Sequence, residues 1–155
     1  MKRSWIKRKT PLRAKKPWNR GASPLKRGSL RRKGISSVSR LKRKLWVVFS
    51  KYIKERDNYI CFTCGRFAEG AGMHSGHFIS KSVGGMLLYF HEDNVHAQCY
   101  NCNINLSGNQ YIYGQKLGEK KVKELYEIKN QILVLTPKEK IAWYEEKIEH
   151  YTTKI

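Results

Sequence analysis

Two cysteine pairs, Cys61-Phe-Thr-Cys64 and Cys99-Tyr-Asn-Cys102, constrain this chain more than any other feature. A CxxC pair forms a knuckle that presents two thiolates at tetrahedral spacing, and two knuckles complete a four-cysteine zinc site. Gly65 follows the first pair directly and suits its tight turn. A redox CxxC is the competing reading of either pair alone. The pairs are separated by 34 residues, more than a simple zinc ribbon needs, so something is folded between the knuckles. Four thiolates close the coordination sphere, so such a zinc holds structure and cannot activate water. Any chemistry needs a second set of groups.

Charge divides the chain sharply. Residues 1–44 hold 18 Lys and Arg and no acidic residue, whereas residues 45–155 hold 14 basic and 12 acidic ones. Of the net charge of +20, the first segment therefore carries +18 and the rest +2. A near-neutral body with a cationic arm points to a polyanionic partner, because each neutralised phosphate releases a condensed counterion. The phosphate contacts are assigned to Lys7, Arg8, Lys9, Arg13, Lys15, Lys16, Arg31, Arg32, Lys33, Lys42, Arg43 and Lys44, with Trp5 and Trp18 available to stack on bases. No apolar run approaches the roughly 20 residues of a membrane span. No apolar segment follows the charged N-terminus as it would in a signal peptide. The expectation is a cytoplasmic protein without membrane contact, in which cysteines serve metal binding.

The pattern gives an α+β reading in two parts: a basic, disordered tail over residues 1–40 and a zinc-stapled domain with flanking helices over residues 41–155. The tail has too little apolar material to offset its ordering entropy. Leu41, Leu45, Phe49 and Ile53 recur every four residues and predict an amphipathic helix to about Arg56, broken by Asp57-Asn58. Residues 59–98 are short apolar pieces between glycines, the pattern of turns and hairpins. A helical stretch is expected after Cys102, stopping at Ser107-Gly108-Asn109, and another from Glu119 to Lys129. Thr136-Pro137-Lys138-Glu139 reads as a capped helix start. The helix beyond it carries Ile141, Tyr144, Ile148 and Tyr151 on one face, and exposed aromatics there would support a homodimer.

The second set of groups lies between and just after the knuckles. Four of the five histidines, His74, His77, His91 and His96, fall there, with Asn94 among them and Asn103 immediately after Cys102. The series Gly76-His77-Phe78, Asn94-Val95-His96-Ala97-Gln98-Cys99, Cys102-Asn103 and Ser107-Gly108-Asn109 resembles the phage NinG (Rap) recombination-nuclease family. That family belongs with the HNH group, in which a zinc-knuckle pair staples a ββα-metal motif. The resemblance runs from about Lys44 to the C-terminus. It implies a phage or prophage protein working in a bacterial host on branched DNA such as D-loops and Holliday-type junctions.

By position in that motif, His77 matches the general base. Asn94 matches the middle Asn, which would orient the His77 ring through its carbonyl. Asn103 matches the final metal-binding position. The resemblance implies a Mg²⁺ or Mn²⁺ ion beside the structural Zn²⁺, with His96 and His74 as candidates for its second ligand, because Gly76 stands beside the base. His91, Glu92 and Asp93 read as a solvated turn. Lys81 and Lys116 extend the phosphate-binding surface. Lys120, Lys121 and Lys123, interleaved with Glu119, Glu124 and Glu127, read as a solvated helix face. Two other readings use the same charge and cysteines: a non-catalytic zinc-knuckle protein that binds nucleic acid, and an adaptor for an acidic protein surface.

Overall fold

The computed structural model describes residues 36–155. The elements are α1 (Ser37–Arg56), β1 (Met73–His77), α2 (Gly85–Tyr89), β2 (Val95–Cys99), α3 (Gln110–Leu117), α4 (Glu119–Lys129) and α5 (Pro137–Thr152). Short 3₁₀ turns at Gly70–Gly72 and Glu92–Asn94 precede the two strands, and a single π-helical turn, Asn101–Asn105, follows β2. The architecture is α+β with a two-stranded antiparallel sheet. Most of the segment read as a tail lies outside the described residues, and with it Lys7, Arg8, Lys9, Arg13, Lys15, Lys16, Arg31, Arg32 and Lys33. Residues 37–40 belong to α1, because the Ser36 hydroxyl caps the helix at the Ser39 amide (3.2 Å) and so starts it at Ser37, four residues ahead of the apolar stripe.

The stripe on α1 meets the stripe on α5. Leu45, Phe49 and Ile53 have no solvent exposure and share a core with Tyr144, Ile148, Tyr151, Phe90 and Val95. The Phe49 and Tyr151 rings lie edge to face at 4.9 Å. The start of α5 is the capping box its residues predict: Thr136 accepts from the Glu139 amide, and Glu139 accepts from the Thr136 amide at 2.7 Å. Tyr144 and Tyr151 are buried inside this core.

Strands β1 and β2 pair from Met73 opposite Cys99 to His77 opposite Val95. Side-chain alternation puts Ser75 and His77 toward α1, where Ser75 donates to the Ser50 carbonyl (3.1 Å) and His77 meets Trp46. The opposite face carries His74, Gly76, His96 and Gln98. The hairpin is fastened to the end of α1 by one ion pair. Arg56 donates to the carbonyls of Glu92 (2.9 Å) and Val95 (3.0 Å), while its partner Asp57 accepts from the Ala97 amide (2.7 Å).

The turn before Asn94 differs from the solvated one expected. Glu92 accepts hydrogen bonds from Tyr52 (2.8 Å) and Tyr151 (3.2 Å), and Asp93 pairs with Lys121. Both acids are held by the helices around them. Among the described residues, no helix is long and apolar enough to cross a membrane.

Candidate active site and metal centre

The knuckles close on one another because the hairpin carries them. The first precedes β1 and is pinned to β2 by the Phe62 amide, which donates to the Ala97 carbonyl (2.7 Å). Its turn closes with the Gly65 amide on the Cys61 carbonyl (2.8 Å) at φ +74°, a left-handed value that favours glycine. The second knuckle begins on the last residue of β2 and ends inside the π-helical turn. The sulfurs of Cys61, Cys64, Cys99 and Cys102 all lie within 4.8 Å of one another. The Cys64 and Cys99 sulfurs are 3.7 Å apart, against about 3.8 Å for the edge of a tetrahedron with Zn–S bonds of about 2.3 Å. A disulfide would need about 2 Å. The cluster fits zinc.

Burial works against the Cys61 thiolate, but the Thr63 hydroxyl and neighbouring backbone amides outweigh it and bring the thiol down to about 6. Burial and the adjacent thiols push Cys64 up to about 12. A divalent cation would remove this mutual penalty and favour all four thiolates.

Beside the cluster lies a cleft of about 280 Å³, lined by Ser75, His77, Ser80, Lys81, Asn103, Ile104, Ser107, Gly108 and Gln110. It brings together two of the three residues read as catalytic, His77 and Asn103. His77 Nε2 lies 3.1 Å from the Tyr89 carbonyl. A carbonyl only accepts, so in the neutral ring the proton sits on Nε2 and the lone pair on Nδ1. Among the described residues Nδ1 has no hydrogen-bond partner. Trp46 stacks on the ring (5.4 Å, 24°), and Tyr89 meets it at 65°. Burial under these aromatics, aided by the Lys81 charge, holds His77 down to about 4 against the Tyr89 bond that favours its cation. The His77 ring is thus held in its neutral form at physiological pH.

Asn94 has a different role from the one expected. Its side chain is fully buried; Oδ1 accepts from the Ile79 amide (2.7 Å), and Nδ2 donates to the carbonyls of Ile79 (3.1 Å) and Leu88 (2.8 Å). It does not orient the His77 ring through its own carbonyl, which accepts from the Phe78 amide (2.8 Å). Instead it clamps the chain two residues beyond His77 to the end of α2, which supplies the orienting carbonyl of Tyr89. Asn94→Ala would orphan the buried amide and carbonyl of Ile79 and remove one donor from the Leu88 carbonyl, with an expected cost of about 2 kcal/mol or more. Denaturant unfolding checks this, and an unchanged midpoint would refute the clamp.

Asn103 is oriented by His74. His74 Nε2 donates to the Ala71 carbonyl (3.2 Å), which leaves Nδ1 to accept from Asn103 Nδ2 (2.9 Å). The Asn103 oxygen then faces Gly76, 2.9 Å from where a β-carbon would stand there. Both ring nitrogens of His74 are engaged, and its place is to hold that amide. His96 lies outside the cleft: it stacks on Phe62 (4.0 Å, 27°) and meets the Tyr113 hydroxyl through Nδ1 (3.0 Å). Burial, aided by the Arg56 charge, holds His96 down to about 4.

Several contributors escaped sequence reasoning. Gln98 is fully buried, with Nε2 donating to the Gly108 carbonyl (2.8 Å). That bond fixes the amide, so Oε1 turns to the open face of Gly76. It is the one buried side-chain oxygen or nitrogen without a partner among the described residues. Its position two residues after His96 in an alternating strand was the available signal. Trp46 was read as a widening of the core stripe, and nothing local shows that it stacks on His77.

A β-carbon at residue 76 would stand 2.0 Å from Gln98 Oε1, which its bond to Gly108 prevents from retreating. Gly76→Ala is therefore expected to lower stability by about 1–3 kcal/mol. An unaltered thermal midpoint would show that the amides can yield.

Asn103 lines the cleft with His77, whereas Gln98 Oε1 is buried and lies outside that lining. Lys42 lies over the Tyr89 ring (4.3 Å) and Lys81 over Trp46 (5.5 Å), which puts two cations on the aromatic wall beside His77. Arg43 and Lys44 are exposed on α1.

The family model described as Bacteriophage Lambda NinG protein matches residues 2–154 of this chain. No curated protein and no solved structure gives a match.

Proposed function

This chain belongs to the bacteriophage lambda NinG family, and we propose that it is a metal-dependent DNA endonuclease of the HNH type acting on branched DNA. The observation that carries the reading is His77: a buried histidine, locked by the Tyr89 carbonyl in the tautomer that leaves Nδ1 free, in one cleft with Asn103 and Lys81. His77 Nδ1 accepts a proton from water as the water oxygen bonds to phosphorus and the bond to the 3′-oxygen breaks. Lys81 neutralises a phosphate oxygen. Asn103, held by His74, would supply an amide oxygen to a divalent cation. A Mg²⁺ or Mn²⁺ bound there would supply charge neutralisation at the phosphate and the departing 3′-oxygen. Asn94 and Tyr89 keep the base in place, and the basic residues of the chain supply phosphate contacts that position DNA without reading its sequence.

The test is cleavage of a labelled four-way junction or D-loop beside a matching linear duplex, with zinc-loaded protein and added Mg²⁺ or Mn²⁺. Metal-dependent cutting of the branched substrate is expected. Tight binding with no cutting under any metal would instead make this a zinc-knuckle nucleic-acid-binding protein.

A further inference from the structure

One apolar side chain lines the cleft and a second stands two residues further along the same turn, and neither belongs to a core cluster. Ile104 and Leu106 are 49% and 52% exposed, and Ile104 lines the cleft next to Asn103. They project from a stiff segment. The π-helical turn contains the buried knuckle ligand Cys102, and the Gly108 amide donates back to the carbonyls of Cys102 (2.9 Å) and Asn103 (3.1 Å). Asn105 donates to Asn101 across the turn (3.1 Å), and Gln98 holds the Gly108 carbonyl from below. Ser107 and Asn109 adopt positive φ (49° and 47°), so the chain leaves the turn sharply instead of continuing as a helix. A flexible apolar loop would fold its side chains away, whereas this turn is bolted to the metal cluster and holds them out.

We infer that Ile104 and Leu106 form a wedge that enters between bases at an unstacked DNA step beside the scissile phosphate. The inference rests on the nuclease reading for its substrate and on the structure for the residues. The cleft beneath the rim offers Lys81, and the chain carries +20, so the complementary surface is polyanionic. Within such a partner the faces of bases are the broadest apolar surfaces, and aliphatic wedges inserted between base steps are an established way of unstacking a duplex. Unstacking costs a few kcal/mol in an intact helix and least where stacking is already interrupted. A rigid wedge at the cleft therefore selects interrupted duplexes through the energy of the DNA, without reading sequence.

The experiment uses zinc-loaded full-length protein without added magnesium, so that cleavage plays no part. A junction carrying 2-aminopurine next to the branch point reports unstacking by its fluorescence. Wild type is expected to raise that fluorescence and to bind the junction more tightly than the linear duplex. The double variant Ile104→Ser/Leu106→Ser is expected to lose the fluorescence rise and about tenfold of the junction-to-duplex affinity ratio. Ile104→Leu/Leu106→Met, which keeps the apolar bulk, should retain both. Zinc content and circular dichroism confirm that each variant is folded, which half-exposed positions should permit.

A serine variant that keeps the rise and the ratio overturns the wedge, even if the wild type proves to be a nuclease. A change in the sedimentation of the free protein with no change in unstacking overturns it in favour of a contact between copies. Unstacking that depends on Ile104 and Leu106, in a protein that never cuts, upholds the wedge and removes the nuclease reading.

Discussion

His77→Ala is expected to abolish metal-dependent cutting of branched DNA, by about 10²–10⁴-fold, while leaving zinc content and junction affinity in place. The affinity should survive because it comes from cationic side chains, whereas His77 contributes a lone pair to the reaction. On the proposed mechanism the same residue sets the pH dependence. A base must be neutral to accept a proton, so activity falls as pH drops through its own pKa. An ordinary histidine would lose activity below about 6.5, but burial against Trp46 and Tyr89 and the nearby Lys81 hold His77 down to about 4. The acidic limb of log kcat/KM is therefore expected near pH 4, with a flat profile from there to neutrality, measured where zinc is still retained. A limb near 6.5, or full activity in His77→Ala, would assign the base elsewhere.

Loss of zinc is expected to unfold the knuckles, hairpin and cleft as one unit. The buried cluster at the cysteine site consists of Cys61, Met73, Ala97, Cys99 and Cys102, so three of its five members are candidate zinc ligands. Without the cation, little apolar material remains to hold that region. Structural zinc binding is worth about 10–16 kcal/mol in small metallo-domains, comparable to or above the whole stability of an ordinary domain. Chelation, or Cys99→Ser, should therefore remove amide-exchange protection from β1, β2 and the π-helical turn. The α1–α5 core, whose Leu45, Phe49, Ile53, Tyr144, Ile148 and Tyr151 lie outside the cysteine cluster, should stay protected longer. Protection at β2 unchanged after complete zinc removal would contradict this. So would a fully folded Cys99→Ser variant.

On the proposed reading, the structural zinc and a catalytic cation have different consequences when withheld. Zinc loss removes the cleft itself, whereas omitting Mg²⁺ or Mn²⁺ should leave the fold intact and stop only the reaction. The expected asymmetry follows from the donors: four thiolates close a coordination sphere, whereas a neutral amide oxygen such as that of Asn103 would hold a hard cation only with help from substrate.

What the sequence determined by itself is local chemistry with a short reach. Cysteine spacing names the zinc ligands because a knuckle is closed within four residues. The α1 stripe and the Thr136–Glu139 capping box name helices because both signals act within a turn or two. The order of His77, Asn94 and Asn103 along the chain carried the family resemblance. What only the tertiary structure decided is which group each of these side chains meets. Alternation puts His96 and Gln98 on one face of β2, but α3 and the first knuckle decide that His96 is covered by Phe62 and Tyr113 while Gln98 turns to Gly76. The same holds for the base. His77 takes its tautomer from Tyr89, twelve residues away, and its low basicity from Trp46 on another element. A residue's type is written at its own position, but its protonation state and orientation belong to the neighbours that packing brings, and no local pattern encodes them.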